Sequence, residues 1–266
     1  MSERLDAQRL DTLLKTCKVT DLKDDDEIAE LPNEEVVLYR DGTHRYFLVD
    51  EDKIPKPGLK ALTSVTGILG IIGSRQKTDG LIRWAVKEVQ EGRDPFATRD
   101  NAATRGRSIH LAMERLARDG EIPSLHDFPE DDRPYVTGLA NFWLKHRIKA
   151  EHTELIVADT GEGYAGRLDL LAEIDGKRMV LDLKTGKGRV YDEALVQVAA
   201  YRKALVASGY GPTDGAAVLG LAGDGSYTYV ESLVHPGQFL EVVAVHQLLK
   251  DVRKLRPDPE VFPVAA

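Results

Sequence analysis

The 266-residue chain has a single cysteine, Cys17. That excludes a disulfide framework and any four-cysteine iron–sulfur or zinc cluster built within it. No apolar run approaches the roughly twenty residues that span a bilayer. The opening Met1-Ser2-Glu3-Arg4-Leu5-Asp6 has no apolar signal-peptide core, so a reduced, intracellular compartment without membrane association is expected. No G-x-x-x-x-G-K-[ST] occurs, which removes a P-loop ATP motor, and there is no internal repeat or low-complexity segment. Basic residues are outnumbered, 36 Lys and Arg against 44 Asp and Glu, for a net charge of −8. By itself that sum argues against a nucleic-acid partner.

The distribution matters more than the sum. Much of the acid gathers in expected loops at Asp24-Asp25-Asp26, Glu34-Glu35 and Glu130-Asp131-Asp132. Basic residues collect elsewhere: Arg99, Arg105 and Arg107, then Lys184, Lys187 and Arg189, and a set from Lys145 to Lys149 at a helix end. This layout permits a local phosphate-binding groove on an acidic protein.

With 42% hydrophobic residues the chain can bury a proper core. Helices are expected at about 3–17, 79–91, 98–119, 133–149, 191–208 and 236–254. Ser64 or Thr66 caps a short helix through Ile72. Strands are expected at 36–40 and 45–49 around Asp41-Gly42, at 155–158, 215–221 and 227–233, with a long hairpin over 165–184. Residues 53–60 read as a loop. This order predicts an α/β (α+β) fold with a mixed sheet.

The long hairpin carries the most information. Asp175-Gly176 between two alternating apolar runs signals a two-residue turn. That register sets Ile174 opposite Lys177, Glu173 opposite Arg178, and Asp169 opposite Asp182. Like charges facing each other destabilise a sheet, whereas a divalent cation between them removes the repulsion. Leu168, Leu170, Ile174, Leu181 and Leu183 project the other way, into a core, and Lys184 shares the face of Asp182. The pattern alone fits equally well a set of polar residues on the wet face of a hairpin.

Two helical pairs join this set. His110 and Glu114 lie four apart, on a face distinct from Ile109, Ala112, Met113 and Leu116. They read as a surface ion pair or, more sharply, as metal chemistry on His110. Gln197 and Tyr201 are likewise four apart, at the edge of an apolar helix face. Alone they read as a solvated glutamine and a half-buried packing tyrosine.

Taken in order, Gly106-Arg107-Ser108-Ile109-His110 with Glu114, Gly166-Arg167-Leu168-Asp169, Asp182-Leu183-Lys184-Thr185 and Gln197-Val198-Ala199-Ala200-Tyr201 resemble the PD-(D/E)xK nuclease superfamily. The closest resemblance is to its RecB-like exonuclease branch. Thr63 to Leu69 and Trp84 also look like phage-encoded and mitochondrial-genome-maintenance exonucleases of that branch. Leu168 stands where the superfamily name has proline, and the cysteines that hold an iron–sulfur cluster in some relatives are missing.

The resemblance implies a restriction-endonuclease-like core, a central mixed sheet flanked by helices. It divides the chain into an N-terminal helix-and-hairpin extension (1–60), a nuclease domain (61–256) and a tail (257–266). It further implies Mg²⁺ or Mn²⁺ held by His110, Asp169, Asp182 and the carbonyl of Leu183, with Glu114 at a second cation and no iron–sulfur cluster. Lys184 would orient or deprotonate the attacking water, its amine kept neutral by the metal's charge. Gln197 and Tyr201 would position the scissile phosphate, and Arg105, Arg107, Arg167, Lys187 and Arg189 are the expected DNA contacts. The implied function is a metal-dependent DNA exonuclease of DNA processing, recombination or repair. A structure-selective endonuclease and a non-catalytic binding module are the alternatives. The implied partners are single-stranded or free-ended DNA and a recombinase or single-strand-binding protein, in a bacterial or phage-infected cytoplasm.

Overall fold

A computed structural model describes residues 26–40, 43–50, 58–72 and 75–255. The expected helix at 3–17, with Cys17, the Asp41-Gly42 dipeptide and the tail at 257–266 lie outside the described residues. Four strands come first: β1 (Asp26–Glu30), β2 (Val36–Arg40), β3 (Arg45–Asp50) and β4 (Gly58–Ser64). Helices α1 (Val65–Leu69), α2 (Arg75–Gln90), α3 (Pro95–Asp119) and α4 (Arg133–Lys145) follow. Then come β5 (Lys149–Asp159), β6 (Tyr164–Ile174), β7 (Lys177–Gly186), α5 (Asp192–Ala207), β8 (Gly215–Ala222), β9 (Tyr227–Glu231) and α6 (Phe239–Leu255). Among the described residues no helix is long and apolar enough to cross a membrane.

Local chemistry explains several boundaries. Ser64 caps α1, its hydroxyl accepting the N–H of Gly67 at 3.0 Å, as Ser and Thr do at helix starts. Asp94 caps α3 in the same way, ahead of Pro95, and Gly120 closes that helix at φ 69°. Asp175 and Gly176 take φ values of 50° and 83°, which a two-residue type I′ turn requires.

The nine strands of the described residues form one mixed sheet, ordered β1-β2-β3-β4-β6-β7-β8-β9, with β5 paired to β6. β4 meets β6 in parallel and β7 meets β8 in parallel, while the remaining pairs are antiparallel. The β7–β8 pairing needs a crossover, and α5 provides it. On one face α3 and α4 pack Ile109, Met113, Leu116, Leu139 and Phe142 against Leu170, Leu181, Leu183 and Leu219. On the other, α1, α5 and α6 pack Val65, Ile68, Val198, Leu205 and Phe239 against Leu171, Val180 and Val218. The expected central mixed sheet between helices is therefore present.

The hairpin register is as expected, with Ile174 opposite Lys177 and Glu173 opposite Arg178. The charges on that pair go elsewhere, Glu173 to Lys149 and Arg178 to Glu151, each at 2.8 Å.

Four expectations need correction. Asp26 opens a strand rather than ending an acidic loop, because Ile28 and Ala29 supply an edge that pairs β2. Gly58, Leu59 and Lys60 belong to β4 rather than to the expected loop at 53–60, because they pair with β3 in the strand that joins the N-terminal meander to β6. The fourth helix stops at Lys145, and Lys149 already lies in β5. Leu168 packs on the α5 side instead of with Leu170, because β6 is leaving β7 at that point.

Candidate active site

β5 pairs β6 from Tyr164 to Glu173 and fills one of its edges. β4, paired at Tyr164 and Ala165, and β7, paired from Leu170 onward, must share the other. Residues 166–169 are left between them without a strand partner on that edge, and the candidate site is built in this gap. The ladder stops one pair short of Asp169 and Asp182. There Asp169 Oδ2 accepts the backbone N–H of Leu183 at 2.6 Å.

α3 brings His110 over the gap, anchored by the fully buried Ile109, Ala112 and Met113. His110 Nδ1 lies 3.1 Å from Glu154 Oε1 and 3.7 Å from Asp169 Oδ1. One ligand atom from each of His110, Glu154 and Asp169 lies within 4.8 Å of the others. Bonds of roughly 2.1 Å to one hard cation need only small side-chain adjustments to bridge that span.

Glu154 was not foreseen. It sits in β5 at φ 47°, between the pairs Thr153–Leu170 and Leu155–Leu168. Continuing that register would set it opposite Asp169, just as continuing the β6–β7 register beyond Leu170–Leu181 would set Asp169 opposite Asp182. The three acids thus gather where both ladders lapse. A non-glycine residue held in the left-handed region often marks a functional site. The available signal was an acid among Leu155, Ile156 and Val157, counted back across the Asp159–Tyr164 connection.

The electrostatics are those of crowded carboxylates. Burial, then the charge of Asp182, pushes the Asp169 carboxyl up to about 7, against the opposing pull of His110 and Lys184. Burial alone would lower His110, but Asp169, Glu154 and Asp182 outweigh it and hold the imidazolium proton up to about 9. Lys184 Nζ lies 2.8 Å from Asp182 Oδ2, and the side chain of Asp182 is only 1% exposed. Burial would lower the lysine, yet Asp182 and Asp169 raise it. Without a cation, these two carboxylates favour the charged ammonium.

The remaining expected residues divide. Glu114 sits beside the cluster, not within it. Burial, then the charge of Glu154, raises its carboxyl, and His110 lowers it. Gln197 is buried rather than solvated, because its Nε2 donates to Tyr201 Oη at 2.8 Å. The Tyr201 ring lies so near Gly166 that a Cβ there would come 2.6 Å from Tyr201 Cε1, so glycine is what admits the ring. Burial, then Asp182 and Asp169, raises the phenol well above its usual range.

Arg105 is engaged within the fold. It pairs with Asp132 at 2.9 Å and lies over Tyr135 at 5.1 Å. Arg167 pairs with Glu27 and lies over Tyr39. Arg107, Lys187 and Arg189 are exposed. Arg107 bonds only Thr104 Oγ1, and no carboxylate among the described residues pairs with any of the three. Gly106 faces Thr185, where a Cβ would lie 3.6 Å from Oγ1, so Arg107 and the end of β7 border the same rim.

A bound divalent cation would be held by His110, Glu154 and Asp169, with Asp182 alongside. The donor set suits one: carboxylates favour Mg²⁺, and the imidazole makes Mn²⁺ equally apt.

Comparison with curated proteins finds no match. The family profile of the PD-(D/E)XK nuclease superfamily matches residues 81–260, a span holding every site residue named above except those of the N-terminal meander. The match fits the RecB-like branch, and the mixed sheet between helices agrees with a restriction-endonuclease-like fold. The chain belongs to the PD-(D/E)XK nuclease superfamily.

Proposed function

We propose that this protein is a divalent-metal-dependent deoxyribonuclease acting from DNA ends. The observation that carries the reading is the cluster of His110, Glu154 and Asp169 within 4.8 Å, set beside the Asp182–Lys184 pair. Buried carboxylates that repel one another have little structural use, whereas a cation site needs them. Such an ion acidifies a water near neutral pH and offsets charge building on the phosphate.

The chain's own groups cover the rest. The Lys184 ammonium donates to the attacking water or a phosphate oxygen, orienting it. Gln197 holds the Tyr201 hydroxyl toward the same acids, where it positions the scissile strand. Arg107, Lys187 and Arg189 meet the phosphates leading away from the site. In this reading the carbonyl of Leu183 would help to hold the ion, and Glu114 would help to hold a second one.

The test uses linear and covalently closed circular DNA, each with Mg²⁺ or Mn²⁺. Linear DNA should be degraded to mononucleotides or short products and circles left intact, with no cutting in chelator. Cutting of closed circles would establish an endonuclease on the same fold. Inactivity on every end type would leave a binding module.

A further inference from the structure

Arg167, two residues before Asp169, does not reach freely into the groove. It is capped by the N-terminal meander. Glu27 on β1 stands directly opposite Tyr39 on β2, and Tyr39 opposite Tyr46 on β3. The three side chains therefore form one row on a single face of the meander. That row lies over β6: the Arg167 guanidinium sits 4.4 Å from the Tyr39 ring centroid and its Nη2 pairs with Glu27.

Two details set this contact apart from an ordinary ion pair. Arg167 is bonded through one terminal nitrogen only, and its Nε is buried with no acceptor among the described residues. The fork is thus partly satisfied, whereas a phosphodiester offers two oxygens in the geometry a guanidinium matches. Glu27, in contrast, is 52% exposed against 23% for Arg167, so the carboxylate can swing into water while the arginine stays fixed on its tyrosine.

We propose that Glu27 is a displaceable stand-in for a substrate phosphate. In the free protein it occupies Arg167; a phosphate of the bound strand replaces it, and the edge strand β1 thereby holds down affinity for DNA. This rests on the deoxyribonuclease reading and adds a specificity device to it. Only a strand that presents a phosphate at Arg167 recovers the lost contact.

The test is equilibrium binding of a short fluorescein-labelled single-stranded oligonucleotide to the full chain in chelator, read by anisotropy. Glu27→Gln should tighten binding by about fivefold, the upper range for a partly exposed pair. Arg167→Gln should weaken binding. In the Arg167→Gln background Glu27→Gln should have no further effect, since a general loss of negative charge would act there too. Binding by the wild type with no gain in Glu27→Gln overturns the gate alone. A gain that persists without Arg167 overturns it as well. Failure of every variant, wild type included, to bind DNA overturns the deoxyribonuclease reading and the gate with it.

Discussion

Asp169→Asn is expected to abolish cleavage, by about a thousandfold or more, and to raise the melting temperature of the metal-free protein near pH 8. The two effects share a cause. Burial and the charge of Asp182 push the Asp169 carboxyl from its ordinary 3.8 up to about 7, so its ionised form opposes folding. Below about pH 4 the carboxyl is protonated in both states and costs nothing. The cost grows as pH rises through the window between those values and is constant above about 7. A rise of that size corresponds to about 4 kcal/mol as an upper bound. Asparagine keeps an oxygen for the Leu183 N–H, so packing at the gap survives. A gain of several degrees near pH 8 that shrinks towards pH 4, measured calorimetrically in chelator, is the expected result.

Lys184→Ala should remove cleavage as thoroughly, by about 10²–10⁴-fold, yet move the melt in the opposite direction. It strands Asp182, whose side chain is 1% exposed, beside Asp169 and the Tyr201 phenol. Removing one partner of a fully buried pair costs about 3–5 kcal/mol. Lys184 is 41% exposed, so solvent screening reduces this to about 2 kcal/mol. Divalent cation should restore more of the lost stability in this variant than it adds to wild type, because it replaces the missing positive charge. Opposite shifts in two inactive proteins separate a site under electrostatic tension from generic damage to the core.

Local pattern carried much of the site. The Asp175-Gly176 turn and alternating apolar residues specify a register, and a register specifies which acids face each other. The i, i+4 spacing placed His110 and Gln197 with Tyr201 for the same reason: both periodicities are properties of a short stretch of backbone. What local pattern did not convey was the partner across space. Glu154 joins the cluster only through the β5–β6 pairing. Gln197 looks solvated until Tyr201, pressed against Gly166, buries it. Arg105 and Arg167 look like free cations until Asp132 and Glu27 are found 27 and 140 positions away.

The ligand set itself is the central claim, and it differs from the sequence expectation at one residue. Titrating Mn²⁺ into wild type and Glu154→Gln by calorimetry addresses it directly. The account predicts saturable binding by the wild-type chain and at least tenfold weaker binding, on the order of a lost site residue, in Glu154→Gln. Unchanged Mn²⁺ affinity in Glu154→Gln would contradict it.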